Sequence, residues 1–339
     1  MLYIDAFNHI LPKKYQGLLE KKVKGRDFSD NLARYSQTIP TLLDLDARFR
    51  LMDKVDGYMQ VLTLAAPTIE SVATPKVAVE LAQAANDEMA ELVLKYPDRF
   101  VAAIAALPLN DVNASLKEID RALHDLSFKG IQMFTSINDK PLDSPEFFPI
   151  YEKMEKYNLP ILIHPERPAN RPDYSGETHA KYRSWTKIGW PVASGLAMFR
   201  LVYGGVMEKF PRLKVVTHHC GGVIPFLAGR MEWNDDFNEM TMGHKDLQFP
   251  EKPLTYFRRM FYDTANNGNV PGLRCGLEFA GVDQMIFATD LPFCSQQGMR
   301  LIRDTIAAVD ALGLSPEDRR KVFQSNAVDL FRLPLSTFV

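Results

Sequence analysis

The chain has 339 residues, of which 46% are hydrophobic and 24% charged, with a formal net charge of −2. This composition supports a large buried core and excludes an intrinsically disordered chain. A net charge so close to zero, without long basic runs, leaves no electrostatic basis for nucleic acid or an anionic membrane as partner.

The predicted elements alternate from the first residues to the last. Candidate strands fall at residues 2–9, 58–64, 100–106, 130–134, 160–164, 213–219, 259–264 and 284–290, and segments of helical period separate them. In residues 76–96, for instance, Leu81, Ala85, Met89, Leu92 and Tyr96 form one apolar stripe. A last helix is announced by Ser315-Pro316-Glu317-Asp318, a cap residue followed by proline and two acids in the first turn. Eight near-continuous apolar strands alternating with helices predict a (β/α)8 TIM barrel with an extra C-terminal helix. Two segments, roughly 13–50 and 165–190, exceed ordinary connections and follow candidate strands, which places them as long loops at the C-terminal mouth. With no internal repeat or flexible linker, residues 1–339 read as a single domain.

The N-terminus runs directly into strand-like sequence without a leader pattern, and no 18-residue apolar run follows. The expectation is a cytoplasmic protein without a membrane span. Cys220, Cys275 and Cys294 lack C-x-x-C spacing, so neither a disulfide framework nor a zinc ribbon is expected.

His9, His164, His219 and Asp290 each sit at or just beyond the C-terminal end of a candidate strand. In a barrel those ends converge on one pocket, and two imidazoles with a carboxylate suffice to hold a catalytic divalent ion with positions open for water or substrate. In strand period Asp5, Phe7 and His9 point to the same side, which predicts Phe7 inside the barrel beside that ion. There phenylalanine keeps roughly the volume of an imidazole and loses its lone pair.

Several stretches carry a family resemblance: "IDAFNHILP" (4–12), "ILIHPE" (161–166), "YGGVMEKFPRLKVVTHHCGGVIPFLAGR" (203–230), "MFYDTA" (260–265) and "IFATDLPF" (286–293). The chain resembles the amidohydrolase-related decarboxylases typified by aminocarboxymuconate-semialdehyde decarboxylase, a group that includes the resorcylate, 5-carboxyvanillate and isoorotate decarboxylases. The likeness extends to "SNAVDLF" (325–331). It implies one divalent ion, zinc or manganese, held by His9, His164 and Asp290, with His219 as the catalytic histidine beside it and no organic cofactor. His218 is then expected to point to the other face. The family's first-strand motif is H-x-H or E-x-H, and Phe7 stands in its first position. A homodimer or larger homo-oligomer is expected on the same ground.

The resemblance implies a non-oxidative decarboxylase of a small carboxylated aromatic or muconate-like acid. A hydratase or hydrolase on the same scaffold is the alternative, and a metal-free binding protein a third. A carboxylate substrate calls for an arginine, for which Arg34, Arg167, Arg171 and Arg183 are candidates. Phe7, Trp185 and Trp190 are candidates to wall the substrate. His179 and Glu166 are similarly placed, whereas His124 and His244 read as surface residues.

Overall fold

Eight parallel strands frame the structure, a computed structural model that describes residues 1–23, 38–242 and 249–334. They are β1 (Tyr3–Ile10), β2 (Tyr58–Leu64), β3 (Phe100–Ala103), β4 (Ile131–Phe134), β5 (Ile161–His164), β6 (Val215–Thr217), β7 (Phe261–Asp263) and β8 (Met285–Ile286). Every predicted strand is present, and β3, β6 and β8 stop short of their predicted C-terminal ends. Candidates Arg34 and His244 lie outside the described residues.

Strands β1 to β3 pair in order, as do β4 to β8, always in parallel. Two seams join these sheets. Gln132 N donates to Ala105 O at 3.0 Å where the chain beyond β3 meets β4. Across the other seam, Ala6 N donates to Phe287 O at 2.9 Å and Asp290 N to Phe7 O at 3.1 Å. The ring is closed into the predicted (β/α)8 barrel.

Inside it, Val61, Ile104, Leu162, Val216 and Ile286 pack together with side chains of β1. Helix Pro75–Lys95 buries Leu81, Ala85 and Met89, the predicted stripe. Asn86 clamps that helix to the wall, donating to Ala106 O and accepting from Ala106 N, both at 2.9 Å. The C-terminal helix starts as its sequence predicts: Ser315 Oγ accepts from Asp318 N at 3.1 Å, with proline in the first turn. Its Val322 carbonyl accepts from Phe287 N at 2.9 Å, and Leu330 and Phe331 join the interior cluster, closing the barrel end away from the mouth. Among the described residues no helix is long and apolar enough to cross a membrane.

The sequence pattern misplaces one side chain of β1. The β1–β2 register shifts between Asp5 and Asn8, so strict alternation fails there. Ile4, Ala6 and Phe7 all join the interior, as expected for Phe7 alone. Asp5 instead turns to Tyr58 and Thr289, accepting from the Tyr58 hydroxyl, from Thr289 N at 3.0 Å and from Thr289 Oγ1 at 2.6 Å. Burial outweighs these bonds and pushes its carboxyl up to about 7.

Glu70, in the short helix after β2, is another acid buried without a cationic partner beside it. Its Oε1 meets no hydrogen-bond donor among the described residues, and burial raises its carboxyl to about 7. Because the folded-state value lies above the ordinary 4.5, the folded protein binds this proton more tightly than the unfolded chain. The stabilisation is complete at low pH and is lost as pH rises through 7. Glu70→Gln is therefore expected to raise stability at pH 8 by roughly 1–3 kcal/mol and to change it little at pH 5. Urea unfolding at the two pH values checks this, and an equal effect at both would contradict it.

Candidate metal centre

At the mouth, His9 near the end of β1, His164 closing β5, His218 just past β6 and Asp290 beyond β8 each bring one donor atom within 4.8 Å of the others. All three imidazoles are buried. Their Nδ1 atoms are already committed: His164 Nδ1 to Pro165 O at 2.7 Å, His218 Nδ1 to Asp263 Oδ2, and His9 Nδ1 to Thr63 Oγ1 at 3.2 Å. Carbonyl and carboxylate oxygens only accept, and the Thr63 hydroxyl spends its proton on Asn8 O. Each Nδ1 therefore carries a proton, and Nε2 is the nitrogen that offers a lone pair whenever the ring is neutral. His9 Nε2 and His218 Nε2 stand 3.1 and 3.4 Å from Asp290 Oδ1, yet neither makes an aligned hydrogen bond. Three imidazole lone pairs facing one carboxylate in a buried pocket form a donor set that fits a divalent cation.

The electrostatics agree. Burial alone would raise Asp290, but His218, His219 and His9 hold it well below the usual carboxylate range. Burial lowers His9 and His164, the latter strongly. Burial would lower His218 too, but the Asp263 and Asp290 carboxylates outweigh it and push it up to about 10. A pocket with two carboxylates at its core favours positive charge, and a bound dication takes the place of a proton on Nε2.

The structure brings together His9, His164, His219 and Asp290, as the sequence predicts, and corrects the expectation for His218. Val216 faces the interior, so strand period carries residue 218 inward as well. His219 belongs by period to the outside and reaches the mouth only because its backbone turns left-handed, with φ +55°. Asp290 shares that region at φ +61°. Cys220, Gly221 and Gly222 continue the left-handed turn; a Cβ on Gly221 would run into the Tyr262 ring and one on Gly222 into the Pro191 carbonyl. The tight turn lays the His219 ring against Trp190, centroids 6.4 Å apart and planes at 26°. His219 Nε2 lies 3.7 Å from Asp290 Oδ2.

Aromatic rings line the cluster. Trp190 meets His164 edge-on at 5.7 Å and Trp185 packs behind it at 5.5 Å. Phe134 and Phe293, which the sequence did not single out, lie 5.5 Å from His164 and His9 respectively. Phe7 has no exposed surface: it underlies the imidazoles, 4.1 Å from the His218 ring, and does not face the mouth. Arg167 is committed to Asp173 at 3.1 Å and to the Pro172 carbonyl at 3.2 Å, and Arg171 pairs with Asp139, so neither guanidinium is held out toward the cluster. Arg183 lies over the Trp185 ring at 6.0 Å.

A family model described as amidohydrolase matches residues 4–333. The chain belongs to the amidohydrolase family. Among its relatives in that family, 2-amino-3-carboxymuconate-6-semialdehyde decarboxylase of Dictyostelium discoideum is 30% identical over 311 residues, covering 86% of this chain and 82% of that one. Gamma-resorcylate decarboxylase of a Rhizobium species is 30% identical over 304 residues, covering 86% and 88%. A solved dihydroxybenzoic acid decarboxylase from a Polaromonas species, with bound manganese and the inhibitor 2-nitroresorcinol, superimposes with a TM-score of 0.79 at 25% identity, covering 99% of both chains.

Arg48, absent from the sequence-based candidates, positions this amidohydrolase centre from behind. Fully buried, it donates to the His9 carbonyl, to Asn8 Oδ1 at 3.1 Å, to Gln60 Oε1 at 2.7 Å and to the Thr41 carbonyl at 3.0 Å. Arg48→Met strips a donor from four buried acceptors at once and is expected to cost about 3–5 kcal/mol. Urea unfolding measures it, and a loss below about 1 kcal/mol would show that the network is dispensable.

Proposed function

We propose that the chain, as one barrel domain over residues 1–339, is a metal-dependent, non-oxidative decarboxylase of a small carboxylated aromatic or muconate-like acid. The observation that carries this reading is the set of buried imidazole donors gathered around Asp290 beneath His219, in a chain whose relatives at 30% identity include a carboxymuconate-semialdehyde decarboxylase and a resorcylate decarboxylase. His9, His164 and Asp290 would hold the ion, zinc or manganese in this proposal, with donors that suit either and with manganese bound in the Polaromonas relative. A divalent ion there supplies Lewis acidity toward a substrate oxygen.

The protein's own groups do the rest. Trp190 offers a ring face beside His219, and Phe293 and Phe134 add apolar wall, which together suit a planar acid and exclude water from the reacting carbon. His219 delivers a proton to the carbon bearing the carboxylate. The bond to the carboxylate carbon then breaks, its electron pair stays with the protonated carbon skeleton, and CO2 departs. Self-association belongs to the same proposal: helices Trp190–Tyr203 and Ile224–Met242 leave Leu196, Phe226, Trp233 and Met240 exposed beside a groove of about 1120 Å³, a face suited to a second copy.

His219→Ala is expected to keep the bound metal and lose about 100-fold or more of the turnover. Metal content measured beside CO2 release, over a panel of aromatic and muconate-like acids, checks this. Unchanged turnover would remove His219 from the mechanism, and addition of water to the panel compounds in place of CO2 release would replace the decarboxylase with a hydratase.

A further inference from the structure

We infer that His218 is a metal ligand of this site, bringing from the end of β6 the donor that β1 does not supply at Phe7. The inference rests on the metal-dependent reading above and extends it to a fourth protein ligand.

Three observations converge on it. Phe7 and His218 project into the same small space: their ring centroids are 4.1 Å apart and inclined by 37°, and His164 lies 5.9 Å from Phe7 and 5.1 Å from His218. The two rings occupy neighbouring places beside His164, and of the pair only the one at 218 carries nitrogen donors. Here the apolar ring is on β1 and the donor on β6. Secondly, His218 is wholly buried, yet its Nε2 makes no hydrogen bond among the described residues and points toward His9, His164 and Asp290. A buried imidazole nitrogen without a partner is costly unless something occupies its lone pair.

The third observation concerns the other end of the ring. Asp263 Oδ2 holds His218 Nδ1, while Asp263 Oδ1 accepts from Cys220 N at 3.0 Å and Ala265 N at 3.1 Å. The carboxylate is pinned by backbone amides just beyond β6 and β7 and fixes both the tautomer and the orientation of the ring. This is the arrangement by which a carboxylate behind a ligating histidine aims it. A histidine serving only the core would need no such aiming into a pocket of other donors.

X-ray absorption on the wild-type protein loaded with zinc counts imidazole scatterers directly and needs no variant. The expected count is three, from His9, His164 and His218. Chelator competition on His218→Ala should then show zinc affinity weakened by at least about 100-fold, with His219→Ala close to wild type. One bound ion with two imidazoles, together with unchanged affinity in His218→Ala, would overturn this inference and leave the metal-dependent reading standing. A wild-type protein that takes up no zinc would overturn both.

Discussion

The hydrogen bond from Asp290 N to the Phe7 carbonyl is the constraint on which the site depends. It lies on the seam where the last strand meets the first, so it forms only when the barrel closes. Its formation sets the Asp290 carboxylate against His9 and, across the mouth, against His218 and His219. An anion buried among imidazoles is stable only in that company, because burial alone would drive it to take up a proton. Closure of the fold and assembly of the donor set are thus one event, and the C-terminal helix reinforces it by bonding to Phe287 next to the same seam.

The site is rigid from behind and adaptable in front. Thr63, Pro165 and Asp263 fix three imidazoles through Nδ1, and Arg48 fixes the backbone that carries His9. The left-handed turns at His219 and Asp290 store local strain where the chain leaves the strands, and the close packing of Gly221 and Gly222 holds the first of them. Above this base the lining is mainly aromatic, contributed by elements that differ in exposure: Trp190 is half-buried and Phe293 is 39% exposed. Chemistry is set by the base and substrate shape by the rim, the usual division in barrels whose loops vary independently of the strands.

Much of this was legible in the sequence, because strand and helix periods differ and the alternation ran eight times. His9, His164, His219 and Asp290 were visible as polar residues at the ends of apolar runs. What escaped was everything that depends on a break in period. A bulge in β1 turned Asp5 away from Phe7, and a left-handed turn brought His219 to the mouth while His218 kept the inward phase of β6. Arg48 escaped because a charged residue on a helix reads as a solvated face, whereas here β1 presents it with a carbonyl and an amide side chain and β2 with a second amide. Phe134 and Phe293 went unmarked, since nothing local distinguishes a pocket wall from packing.

The proposed chemistry requires that Asp290 and the buried imidazoles hold an ion. Elemental analysis of protein purified without chelator, set beside Asp290→Ala, tests that most directly. About one divalent ion per chain, lost in the variant, is the result the geometry requires. A wild-type protein that is metal-free, and stays so after incubation with zinc or manganese, would contradict it.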